Sequence, residues 1–188
     1  MSFMLLGILN SQAAGGGGAA FDLLETTTLT SSASSVTFSG LDAYSDYKHL
    51  QVRVITRGTR NSETSRLYVT INSTTAGYNT HRLWGDGSSV RSERNPLASK
   101  WEFQYTHGSS SNTVAYTPMV FDLLDFSSTS KFKTARALFG TYTSGTKGIN
   151  LDSCLWQNTA AVTQMSFTGY YDSLAAGTRI SIYGIKGA

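Results

Sequence analysis

Lys48-His49-Leu50-Gln51-Val52-Arg53-Val54-Ile55-Thr56-Arg57 decides the fold class. Leu50, Val52 and Val54 fall on one face and Gln51 and Arg53 on the other. Successive side chains of extended backbone point to opposite sides, so an alternation of two over this length marks a half-buried antiparallel strand. Arg66-Leu67-Tyr68-Val69-Thr70-Ile71-Asn72 repeats the pattern, with Leu67, Val69 and Ile71 sharing a face. Working outward, the segments 21–30, 35–38, 79–84, 101–106, 113–122, 132–142, 149–156 and 162–168 are further strand candidates. Arg179 to Ile185 supplies a last one, expected inside a sheet with Ile180, Ile182 and Gly184 on its buried side. Turn clusters such as Gly85-Asp86-Gly87-Ser88 and Ser144 to Gly148 punctuate them. No stretch carries a period of 3.6. Short strands at this spacing read as an all-β sandwich or barrel.

Composition agrees. The 188 residues suit one domain. Charged residues are 14%, well below the usual share, while Ser and Thr make up about a quarter. That excludes a coiled coil and a collagen repeat, and the supply of aromatic and β-branched residues argues against a disordered chain. The single cysteine, Cys154, excludes an internal disulfide framework. Its place in Leu151-Asp152-Ser153-Cys154-Leu155-Trp156 reads as a buried, inert thiol, with Trp156 in the core.

Net charge is +3. Basic residues concentrate through Arg53, Arg57, Arg60, Arg66, Arg82, Arg91, Arg94 and Lys100. They read either as a patch for phosphates or an acidic polysaccharide, or as solvated strand and loop ends. The second reading is the expectation, because the aromatics are not spaced as a stacking platform, and no nucleic-acid partner follows. No apolar run reaches 18 residues, so no membrane span is expected.

The first 20 residues differ from the rest. Phe3, Met4, Leu5, Leu6, Ile8 and Leu9 form an apolar stretch ahead of the tether Gly15-Gly16-Gly17-Gly18. The stretch is too short, and lacks the positive start, for a secretory leader. A greasy plug on a flexible tether suits docking into a neighbouring subunit; the alternative is that it folds back on its own domain. The expected organisation is an anchoring arm, 1–20, and a sandwich domain, 21–188.

Chemistry-bearing motifs are sparse. His49, His81 and His107 have no second ligand at metal-site spacing, no G-x-S-x-G elbow occurs, and the glycine run lacks the Lys-Ser/Thr of a phosphate loop. Asp42/Asp46 and Asp122/Asp125 are the carboxylate pairs a glycosidase would need across a sugar, but most of the acids fall where turns begin, which is ordinary turn usage. No catalytic residue, metal or cofactor is expected. Trp84, Trp101, Trp156, Tyr78, Tyr105, Tyr116, Tyr170 and Tyr171 could present flat faces to sugar rings, with core and sheet-face packing the alternative; Trp84 beside the Gly85-Asp86-Gly87 turn, with Asp86 and Tyr78, is the candidate glycan contact. Phe21-Asp22-Leu23-Leu24-Glu25 is echoed by Phe121-Asp122-Leu123-Leu124-Asp125, as a duplication or chance would produce.

The stretches Leu23 to Thr30, Ser35-Val36-Thr37-Phe38-Ser39-Gly40-Leu41, Tyr47 to Arg53, Leu151 to Thr163 and Ser181-Ile182-Tyr183-Gly184-Ile185 resemble a family of small bacteriophage virion proteins of marine and cyanobacterial phages. So does the opening Met-Ser-Phe with Leu-Leu-Gly-Ile-Leu-Asn-Ser-Gln. The likeness spans most of the chain but lies in strand and turn patterns. It implies a β-sandwich on a virion rather than an activity. The expectation is therefore an antiparallel, jelly-roll-like sandwich with an extended N-terminal arm. It would be assembled in the bacterial cytoplasm as a non-enzymatic exterior virion subunit. A fibre or tail appendage with a role in host attachment comes first, anchored by the arm to capsid, neck or tail subunits and homo-oligomeric, with a trimer favoured. A head decoration (cement) protein and a free glycan-binding module are the alternatives.

Overall fold

The computed structural model describes residues 21–145 and 147–187. The arm residues Phe3 to Leu9 and the tether Gly15 to Gly18 lie outside the described residues. Twelve strands follow: β1 (Phe21–Thr28), β2 (Ser35–Ser39), β3 (His49–Thr56), β4 (Thr64–Ile71), β5 (Tyr78–Gly85), β6 (Val90–Ala98), β7 (Trp101–His107), β8 (Thr117–Leu124), β9 (Lys133–Tyr142), β10 (Lys147–Trp156), β11 (Gln164–Gly169) and β12 (Arg179–Ile185). One 3-10 turn, Leu41–Tyr44, interrupts the series.

Two antiparallel sheets pack face to face. One has eight strands in the order β1-β12-β3-β8-β9-β10-β5-β6, the other four in the order β2-β11-β4-β7. The quartets β1-β12-β3-β8 and β2-β11-β4-β7 have the strand order of a jelly roll, in which successive strands alternate between sheets. The hairpins β5–β6 and β9–β10 are insertions that widen one sheet beyond the other. The final strand β12 lies inside the large sheet between β1 and β3, with Ile180, Ile182 and Gly184 buried, as the alternation predicts.

The core follows the alternation. Leu50, Val52 and Val54 of β3 meet Leu67, Val69 and Ile71 of β4 within one apolar cluster. Aromatics fill the widened part: the Tyr78 ring lies 5.8 Å from Trp101 and 6.3 Å from Trp156, and Phe103 lies 6.0 Å from Phe121 and 5.8 Å from Phe139. Ala135 and Ala137 on β9 leave room for these rings. Cys154 is buried, and burial pushes its thiol pKa up, which leaves it inert.

Three expectations are corrected. Tyr78, a candidate glycan contact, is 0% exposed, and its hydroxyl accepts the Ile71 N–H at 2.7 Å. The duplication suggested by the Phe21/Phe121 echo fails: both segments lie in one sheet, Phe121 is buried and Phe21 faces solvent. Arg57 and Arg82 are not solvated ends, being 7% and 4% exposed.

Candidate functional site

The jelly-roll order brings the β1–β2, β3–β4, β7–β8 and β11–β12 connections to one end of the sandwich, and backbone bonds tie them together. Ala33 and Leu174 exchange N–H···O bonds, Gly58 N donates to His107 O, and Ala175 N donates to Arg57 O. The clamp at the centre is Arg57, whose Nη1 donates to Asn112 O (2.8 Å) and whose Nη2 donates to Ser109 O (2.9 Å) and Ser111 O (3.2 Å). A buried guanidinium is tolerated because carbonyls satisfy its protons. Asp172 Oδ2 accepts the Arg60 N–H (2.8 Å) and the Ser65 hydroxyl (2.9 Å), while its Oδ1 is buried without a partner among the described residues. Tyr116 donates its hydroxyl to Ala176 O, and the Glu63 carboxylate accepts from Thr143, Ser144 and the Gly145 N–H.

From this fixed base one aromatic side chain stands out. Tyr171 is 93% exposed, on a backbone φ of 51°. The left-handed region costs a bulky residue roughly 1–2 kcal/mol and persists only where the surroundings enforce it. The Asp172 anchor next to it supplies that constraint. The Tyr171 ring packs edge-on against Tyr170 at 4.4 Å. Arg60 and Arg66 lie over the Tyr170 ring at 5.1 and 4.5 Å, and Lys100 lies over Tyr68 at 4.1 Å. Arg66 is paired with Glu102. Burial, then the Glu102 charge, pushes the Tyr68 hydroxyl up to about 12, so it stays neutral.

The second feature is the outer face of the eight-stranded sheet. Leu83, Leu151, Leu138 and Val120 are register partners on β5, β10, β9 and β8. They form a continuous aliphatic row across four strands. Leu83 is 49% exposed, Leu151 49%, Leu138 53% and Val120 39%. Ile149 and Ile55 extend the row, and Pro118, Val120, Leu138 and Ile149 line a shallow hollow of about 290 Å³. Isolated exposed aliphatics are ordinary; these are contiguous across four strands.

Trp84 and Asp86 stand apart from both features. Trp84 is half-buried, its ring 5.6 Å from Tyr105 with Arg91 over it at 5.1 Å. Asp86 accepts from the Ser88 hydroxyl, the Ser88 N–H and the Ser89 N–H, which holds its carboxyl down at about 2 and closes the β5–β6 turn. Tyr78 lies in the core beyond reach of a surface ligand. Nearby, a cleft of about 220 Å³ is walled by Glu93, Arg94, Asn95 and Glu102 over the buried Arg82–Asp152 pair (2.6 Å). Burial raises the Asp152 pKa and its bonds from Arg82 oppose the rise. Among the described residues no group of three His, Cys, Asp or Glu is placed to hold a metal ion.

The sequence offers Tyr170 and Tyr171 only as two of eight aromatics able to face a sugar ring, without the cations around them, and it gives no sign of the aliphatic band. Tyr170-Tyr171 carries no periodic signal, and the band residues look like core positions until the register is known. No family model matches this chain, nor does any curated protein or solved structure.

Proposed function

We propose that this chain is a non-enzymatic structural subunit on the exterior of a bacteriophage particle. It is a fibre or tail-appendage component that works as a homo-oligomer, a trimer first, and joins other virion subunits through the arm Phe3 to Leu9. The observation that carries the reading is the aliphatic band: a sturdy two-sheet module leaves an apolar row open across four strands. Covering half-exposed aliphatics is worth roughly 1 kcal/mol each, so six give about 6 kcal/mol. Association costs roughly 4–15 kcal/mol, so the band alone is marginal for a free partner. A second apolar contribution is needed, and the arm is of the right chemistry to supply it. The resemblance to phage virion proteins supports the location. The carboxylates at hand are engaged in turns and ion pairs, which supports a structural role: Asp86 closes a turn, Asp125 pairs with Lys48 and Lys131, and Asp152 pairs with Arg82.

The test is incorporation into particles. Deleting residues 1–14 is expected to leave a soluble, cooperatively folding chain that no longer copurifies with the particle. Quantitative mass spectrometry of purified particles is expected to count tens of copies or fewer. Hundreds of copies would move the chain to the cement role, and normal incorporation of the truncated chain would refute the anchoring arm.

A further inference from the structure

We infer that Tyr171, Tyr170, Arg60, Arg66 and Lys100 form a binding site for a carboxylate-bearing saccharide. The inference deepens the appendage reading by naming a ligand class for host attachment, and rests on that reading only for its biological use. Four observations converge. First, Tyr171 is almost fully exposed in a backbone conformation that a tyrosine adopts only when held there. An aromatic ring kept in solvent offers its face to the C–H side of a sugar ring without first being uncovered. Second, the support is rigid: Asp172 ties the segment to the Arg60 N–H and Ser65, and Ser173 N donates to the Thr59 hydroxyl at 3.0 Å. A preorganised site loses less freedom on binding.

Third, the charge is unbalanced. Glu102 pairs with Arg66 and Asp172 is engaged by the Arg60 N–H and the Ser65 hydroxyl, while among the described residues the Arg60 guanidinium and the Lys100 ammonium have no ion-pair partner and lie over tyrosine rings. A guanidinium with an open fork takes a carboxylate through two parallel N–H···O bonds. Fourth, the rim is hydroxyl and amide rather than hydrocarbon, with exposed Thr59, Asn61, Ser109 and Ser110 on the neighbouring loops. That rim suits a polyol. A single exposed ring with three cations and an interspersed Glu102 is a poor track for a nucleic-acid strand, which needs successive stacking platforms along a basic groove.

The experiment titrates the full chain with oligogalacturonate, using maltohexaose as the neutral saccharide and oligoglutamate as the non-saccharide anion, by isothermal calorimetry at two salt concentrations. The expected result is saturable oligogalacturonate binding that weakens with salt, with neither control binding comparably. Tyr171→Ala and, separately, Arg60→Gln are each expected to weaken it at least tenfold at unchanged melting temperature, since both side chains are exposed. No oligogalacturonate binding, equal binding of oligoglutamate, or undiminished binding by Tyr171→Ala would each overturn the site. The assay needs no particle, so failure here leaves the incorporation test standing, and the reverse.

Discussion

The two ends of the sandwich are closed by the same device and differ in what they leave over. At one end Arg57 donates to the carbonyls of Ser109, Ser111 and Asn112. At the other, Lys133, fully buried, donates to the carbonyls of Ser128 (2.6 Å), Lys131 (2.8 Å) and Thr159 (3.1 Å). Burial lowers the Lys133 pKa, the direction expected when an ammonium leaves water. In both places a cation inside the fold replaces the backbone partners that irregular loops lack. The surrounding charges differ. Next to Lys133, Asp125 gathers Lys48 and Lys131 around one carboxylate. Near Arg57, the Arg60 guanidinium has no ion-pair partner among the described residues and lies over Tyr170, which packs against the exposed Tyr171. Equal rigidity with unequal neutralisation makes one end a closed cap and the other a surface able to take an anion.

The largest effects test the shared device. Arg57→Met and Lys133→Met remove three charged donors each while keeping much of the side-chain volume, and each is expected to cost about 3 kcal/mol in urea denaturation. Hydrogen exchange is expected to rise locally, at 57–63 and 108–116 in the first variant and at 126–132 and 157–161 in the second. Losses under about 1 kcal/mol, or exchange spread evenly over both ends, would break the comparison.

The smallest effect sharpens it. Asp125→Asn keeps a residue that tolerates the φ of 47° at this position and removes the charge. The Asp125 pKa is lowered in the fold, first by the bond from Lys131 and against a burial penalty. A lowered folded pKa means stabilisation present above the unfolded value near 4 and lost as pH falls through the folded one. The variant is therefore expected to lose about 0.5 kcal/mol at pH 7. Its gap to the parent should shrink below about pH 4. A gap that persists at pH 2 would assign the effect to something other than the Asp125 charge.

Much of the fold was legible because β3, β4, β8, β9 and β12 alternate cleanly, and each candidate segment corresponds to a strand. One misreading has its cause on β5 and β10, where the pattern is inverted. Arg82 and Asp152 point inward and pair, while Leu83, Leu151 and, on β9, Leu138 point outward. A strand whose polar residues are neutralised across the sheet gives no periodic cue to its buried side, so nothing local marks Arg82 as facing inward, and Tyr78 lies just ahead of the 79–84 segment. The strand β6 was not seen, because Val90 to Pro96 are all exposed along a sheet edge and offer no alternation. The tyrosine patch joins the β3–β4 and β11–β12 connections to β4 and the β6–β7 turn, which no local stretch encodes.

The central claim, that this module assembles through its open aliphatic face, is tested most directly by the mass of the full chain in solution. Light scattering or native mass spectrometry is predicted to give a multiple of 20.3 kDa, a threefold one first, and a single-chain mass for Leu138→Asp combined with Leu151→Asp at unchanged fold. A parent chain that stays at 20.3 kDa at every concentration, or a double variant that assembles as the parent does, would contradict it.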